Sequence, residues 1–206
     1  MVSRAADVVD RGKVERRRQI LEAAKHVFAE AGYHGASINA IIERAQIARG
    51  TFYLYFQSKA AVFDSILDQA MADLRALIRR IEVEDPSAPP PQVQLREQVV
   101  ATLGYVVGDR ALATLLLQAA QTPEAEAAER LNQFYDEVRR LIERALEQGT
   151  ALGLVRKCQP SLVAGALLGM VRGVIEVMMR GSEPLSVDEV VSEVIAVGLR
   201  GVLAHI

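Results

Sequence analysis

Between Ala48 and Phe56 the chain places Arg49, Gly50, Thr51, Tyr53, Leu54 and Tyr55 within two helical turns. That set offers a guanidinium, three hydroxyls, a bare stretch of backbone and a branched apolar tip. It does not make or break bonds; it recognises. Arginine can bridge guanine O6 and N7 with two hydrogen bonds, hydroxyls hold phosphate oxygens, and apolar tips meet thymine methyls. Gly50 lets a backbone approach a partner closely. Lys59 adds an ammonium at the start of a helix, where the helix amides also favour phosphate. Ser37 is placed to cap a helix and to share its hydroxyl with phosphate.

Catalytic chemistry has no comparable set. The three histidines, His26, His34 and His205, sit in no metal-binding spacing, and neither a G-K-[ST] loop nor G-x-G-x-x-G occurs. Gly35-Ala36-Ser37-Ile38-Asn39 lacks the second glycine and the strand of a nucleophile elbow. No catalytic residue, metal site or cofactor is expected. The single cysteine, Cys158, excludes an internal disulfide and fits a reduced, cytoplasmic setting.

Positioning a short reader requires a brace. A helix over about Val14–Ala31 buries Ile20, Ala24, Val27 and Phe28 on one face and stops at Gly32. Ser37 caps a second helix, Ile38–Ala45, and a third spans about Arg49–Phe56 after the break Gln46-Ile47-Ala48. Ile38, Ile41, Ile42, Ala45, Ile47 and Phe52 hold the third against the second. This is the helix-turn-helix plan, in which the last helix enters a major groove. Ser58 caps a fourth helix reaching about Ile81. Residues 1–12 read as a flexible arm, 13–59 as the DNA-binding domain, and 60–206 as a second domain joined to it by the fourth helix.

The prolines at 86, 89, 90 and 91 mark a loop over Glu84–Gln92. Five further helices are expected over about 93–107, 109–121, 124–149, 160–180 and 187–204. No segment alternates with period two, so the fold class is all-α with about nine helices. Leu162–Met179 approaches the length of a membrane span, but Arg172 and Glu176 interrupt it; it reads as a buried helix of a soluble protein. Residues 11–59 carry nine basic and four acidic side chains, the remainder 15 and 22. A basic first quarter on an acidic remainder points to an anionic partner for that quarter alone.

The run Ala45-Gln46-Ile47-Ala48-Arg49-Gly50-Thr51-Phe52-Tyr53-Leu54-Tyr55-Phe56-Gln57-Ser58-Lys59, with Gly32-Tyr33, Gly35, Ser37 and Ile41 upstream, resembles the signature of TetR-type regulators. The dense part covers residues 15–67. The resemblance implies a transcriptional regulator, with Arg49, Gly50 and Thr51 at the DNA, Tyr53 and Lys59 on phosphate, and Tyr55 beside them. Two positions depart from the pattern. Gln46 stands where the family often has Gly, and Ala48 where it has a capping Ser.

The resemblance also implies a C-terminal helical domain that dimerises and holds a small effector. Gly165, Gly169 and Gly173 form a flat stripe for a second helix, and Val190, Val194, Val197, Gly198 and Gly201 a similar face. Leu103, Val106, Val107, Leu116, Phe134, Val138, Met170, Val171 and Val174 are apolar candidates for a pocket, with Gln118 and Tyr135 as polar ones. The expected partners are double-stranded DNA with a palindromic operator, a second copy of the chain, and a small, largely apolar molecule that releases a repressor. An effector-independent regulator or an architectural protein is the alternative.

Overall fold

The computed structural model describes residues 2–119, 124–180 and 186–202. These form nine helices and no strand: α1 (Val2–Gly35), α2 (Ile38–Arg44), α3 (Arg49–Tyr55), α4 (Lys59–Leu77), α5 (Pro91–Gly108), α6 (Arg110–Ala119), α7 (Ala125–Ala151), α8 (Pro160–Arg180) and α9 (Val187–Val202).

The first correction concerns the N-terminus. Residues 2–12 continue α1 instead of forming a loose arm. The segment has no proline, and extending an existing helix costs far less than starting one. The expected stop at Gly32 is a break within α1, with φ 68° and ψ 168°, a conformation open to glycine. One further helical turn follows to Gly35.

One apolar cluster runs from the reader into the C-terminal helices. Ile20, Ala24 and Phe28 of α1, Ile41 of α2 and Phe52 of α3 join Phe63, Ile66 and Leu67 of α4. The cluster continues to Leu112, Leu115 and Leu131. Phe28, Tyr33 and Phe63 make its aromatic centre, with Tyr33 and Phe63 centroids 4.9 Å apart and edge to face. Because α4 carries buried residues from Val62 to Leu74, it belongs to both ends of this cluster.

Polar contacts fasten the same joints. Lys25 of α1 pairs with Asp109, which also caps α6 by accepting from the Leu112 amide at 2.9 Å. Burial works against the Lys25 ammonium, but the carboxylates of Asp109 and Glu22 outweigh it and hold its pKa above the usual lysine value. Arg130 of α7 pairs with Asp68 and, at 3.4 Å, with Asp64 of α4. Tyr105 of α5 donates to Asp73 of α4 at 3.0 Å. Burial and that carboxylate push the phenol's pKa upward, so it stays a donor.

The fourth helix ends at Leu77, short of the expected Ile81. Two glutamines of α5 take over the backbone there. Gln98 accepts from the Arg79 amide at 3.1 Å, and Gln94 both accepts from the Glu82 amide and donates to its carbonyl. Pro91 opens α5 at its first position, where a missing N–H costs nothing.

Candidate nucleic-acid interface and apolar cavity

Phe52 of α3, fully buried, and Phe56 just after it, nearly so, join Ile41 of α2 in one apolar cluster. Truncating a core phenylalanine of this kind costs roughly 3–5 kcal/mol. α2 is in turn held to α1: Gln19 donates to the Ala45 carbonyl at 2.7 Å, and Arg44 pairs with Glu30 at 2.7 Å. Arg17 lies 5.2 Å over the Phe56 ring and donates to Ser65 at 3.0 Å.

The two departures from the family pattern have structural expression. Gln46 takes the left-handed conformation at φ 52°, strained for a residue with a Cβ by about 1 kcal/mol. Ala48 is the N-cap of α3 and supplies no side-chain bond. Ser37 and Ser58 do cap α2 and α4, accepting from Ala40 and Ala61 amides at 3.1 and 3.0 Å.

The outward face of α3 brings Arg49, Gly50, Tyr53 and Leu54 together. Leu54 is 83% exposed and Tyr53 47%, its ring edge-on to Phe52. A Cβ on Gly50 would meet no atom within 4 Å. Nothing within the chain requires glycine there. Arg49 donates to Asn39 Oδ1 at 2.9 Å, a partner that reaches it from α2. Thr51 and Tyr55 are half-buried, and Tyr55 packs on the core.

Lys59 opens α4 as expected, but its ammonium is engaged within the chain. Its ammonium donates to the Tyr33 carbonyl at 2.7 Å and lies 4.4 Å over the Tyr33 ring. Glu124, at the start of α7, is 3.8 Å away and also contacts His34 at 3.1 Å. The sequence spacing showed a lysine at a helix start; it could not show that the last turn of α1 folds back onto it.

Below the reader a cavity of about 250 Å³ opens among α4, α5, α6, α7, α8 and α9. Of the expected lining residues it gathers Leu103, Val106, Leu116, Phe134, Tyr135, Val138, Met170 and Val171. Val107 and Val174 do not line it; they pack with Val190, Val191 and Val194 where α5 meets α9. The side chain of Gln118 lies outside the described residues. Leu74 of α4 and Ile78 just after it line the cavity, as do Leu95, Gln98 and Thr102 of α5 and Arg172 of α8. Leu95, Gln98, Thr102 and Val106 recur at helical spacing, a signal that the polar side chains at 98 and 102 obscured.

Tyr135 donates to the Leu116 carbonyl at 3.1 Å. Burial pushes its pKa up against the opposing charge of Arg172. Arg172 is 3.5 Å from Glu176.

α8 is long and apolar enough to cross a membrane, and the expectation that it would be buried fails. Leu162 is 73% exposed and Val177 62%, and Gly165, Gly169 and Gly173 lie on the same open face. A Cβ on any of these three glycines would meet no other group. The face expected on α9 needs correction. Val190 and Val194 are buried inside the subunit, and Gly198 lies against Met170. The α5 valines and leucines claim that side of the helix, leaving Val197 exposed. The surroundings of Gly201 lie outside the described residues.

A model described as "Bacterial regulatory proteins, tetR family" matches residues 20–66, and one described as "Tetracyclin repressor-like, C-terminal domain" matches residues 88–202. The HTH-type transcriptional repressor DhaR of Mycobacterium sp. (strain GP1) is 28% identical over 173 residues, 82% of this chain and 86% of that one. The fatty acid metabolism regulator protein of Bacillus subtilis is 25% identical over 139 residues, 68% and 70% of the two chains. The structure of the transcriptional regulator FadR from Bacillus subtilis in complex with stearoyl-CoA aligns with a TM-score of 0.70 at 22% identity. It covers 91% of this chain and 99% of that one.

Proposed function

Since the chain belongs to the TetR family and is thus a DNA-binding transcriptional regulator, we propose that it is a dimeric repressor released from a palindromic operator by an apolar effector. The observation that carries this reading is the path of α4. Its first residue is tied to the reader through Tyr33, and Leu74 and Ile78 near its other end line the cavity. A helix of 19 residues spans about 28 Å. A ligand that shifts its far end changes the attitude of the reader.

Arg49 reads base edges, Gly50 admits the backbone, and Thr51, Tyr53 and Tyr55 hold phosphate. Leu54 meets a thymine methyl, and Ser37 and Lys59 support the frame. The open face of α8 receives the second subunit. The residues before 60 form the DNA-binding domain and the remainder the effector and dimerisation domain. One relative is a fatty acid metabolism regulator by its description, and a structural neighbour from the same organism was solved in complex with stearoyl-CoA. With the apolar lining, they favour an acyl compound as effector.

The test is a selection of bound DNA from random sequence, followed by titration of stearoyl-CoA and dodecanoate into the complex. The reading expects an inverted repeat and release on titration. The coupling should be on the order of 1–3 kcal/mol, with DNA weakening effector binding by the same factor. Acyl compounds that stabilise the protein yet leave DNA affinity unchanged would sink the release mechanism.

A further inference from the structure

Four residues of the cavity wall carry polar side chains, and three of them are engaged. Gln98 accepts from the Arg79 amide, Tyr135 donates to Leu116, and Arg172 faces Glu176. The fourth is Thr102. Its hydroxyl oxygen is closed off from solvent and has no hydrogen-bond partner; among the described residues no other buried side-chain oxygen or nitrogen is left so. An unpaired hydroxyl in an apolar setting is costly, and native proteins rarely leave one without a purpose. Valine at this position would fill the same space without that cost.

We infer that Thr102 is the polarity gauge of the cavity: the effector carries an acceptor oxygen, a carbonyl above all, inside the apolar chamber and against this hydroxyl. The inference rests on the cavity being the effector site. Threonine in a helix divides between two χ1 rotamers, so its hydroxyl can turn at low cost. Here it gives up no bond by turning, and it must turn to meet a ligand, because the oxygen is closed off as it stands. The oxygen therefore waits on a group that arrives with the ligand. Hydrocarbon alone gains nothing from it. A hydrocarbon bearing a carbonyl satisfies it, and a site built around a donor rejects the analogue lacking the acceptor.

The experiment uses two probes of one shape, 2-octanone and 2-methyl-1-octene, in which a carbonyl oxygen is replaced by a methylene. Calorimetric titration gives the affinity of each for the full-length protein and for its Thr102→Val and Thr102→Ser variants. The ratio of ketone to alkene affinity cancels their different hydration. It should fall about five-fold in Thr102→Val, the worth of one hydrogen bond, and persist in Thr102→Ser.

Without ligand, Thr102→Val should melt higher, by about 2–4 °C, because the unpaired hydroxyl is gone. A ratio unchanged by Thr102→Val overturns the inference while leaving the effector site intact. A lower melting point also overturns it, since the hydroxyl then has a partner within the protein. If neither probe binds any of the three proteins, the effector reading of the cavity fails and this inference with it.

Discussion

Gly50 separates folding from function at a single atom. It lies within α3, in open space, so an added methyl strains nothing. Gly50→Ala should therefore raise stability by about 0.5–1 kcal/mol, the helix-propensity difference, in urea denaturation. On the proposed reading the same methyl stands where the backbone meets DNA, so operator affinity should fall. A Gly50→Ala variant that is both more stable and equally tight on DNA would remove the backbone-approach role. Arg49 makes the complementary case. Arg49→Ala should cost about 1–3 kcal/mol on the preferred operator and little on scrambled DNA. Equal losses on both would make it a phosphate contact.

Lys59 reads differently now that its partners are visible. Removing the ammonium leaves the Tyr33 carbonyl without its donor, so Lys59→Met should cost about 1–3 kcal/mol of stability. A thermal melt unchanged by that substitution would mean the contact is worth nothing. The type and spacing of Lys59 were plain in the sequence. Its contact with Tyr33 was not, because it depends on the turn at Gly32, a matter of φ and not of residue pattern.

Among elements, short helices show most clearly what their caps contribute. α3 has seven residues and begins on Ala48, which offers no side-chain acceptor. Ala48→Ser should add a cap bond and stabilise the protein by about 1 kcal/mol; a differential melt against the parent checks it. α2, α3 and the start of α4 were legible because apolar spacing, Ser37 and Ser58 agreed on their limits, whereas α1 runs past both of its expected ends. The end of α4 was not. Apolar residues continue to Ile81, yet Gln94 and Gln98 from α5 capture the backbone after Leu77. Likewise α9 carries a valine stripe that suits an exterior or an interior equally. Only the neighbouring Leu103 and Val107 decide that Val190 and Val194 turn inward.

For the whole molecule, the proposed pairing rests on where the apolar surface lies. Gly169→Leu should leave the subunit's own packing untouched, since a Cβ there meets no neighbouring group and the position is exposed. On the exposed face of α8 the bulk should hold a partner away. Sedimentation should then report a folded monomer, and operator affinity should fall because both half-sites are no longer gripped together. A variant that stays dimeric would place the interface elsewhere.

The proposed pairing through the open face of α8 has a consequence in the cell. Subunits that pair through α8 do so without regard to the condition of one another's readers. A copy with a damaged α3 and an intact α8 would draw sound subunits into mixed pairs that hold one half-site only. Co-expressed with the parent, such a copy should derepress the operator in proportion to its dose, a dominant-negative inheritance. The same copy carrying Gly169→Leu as well should be recessive.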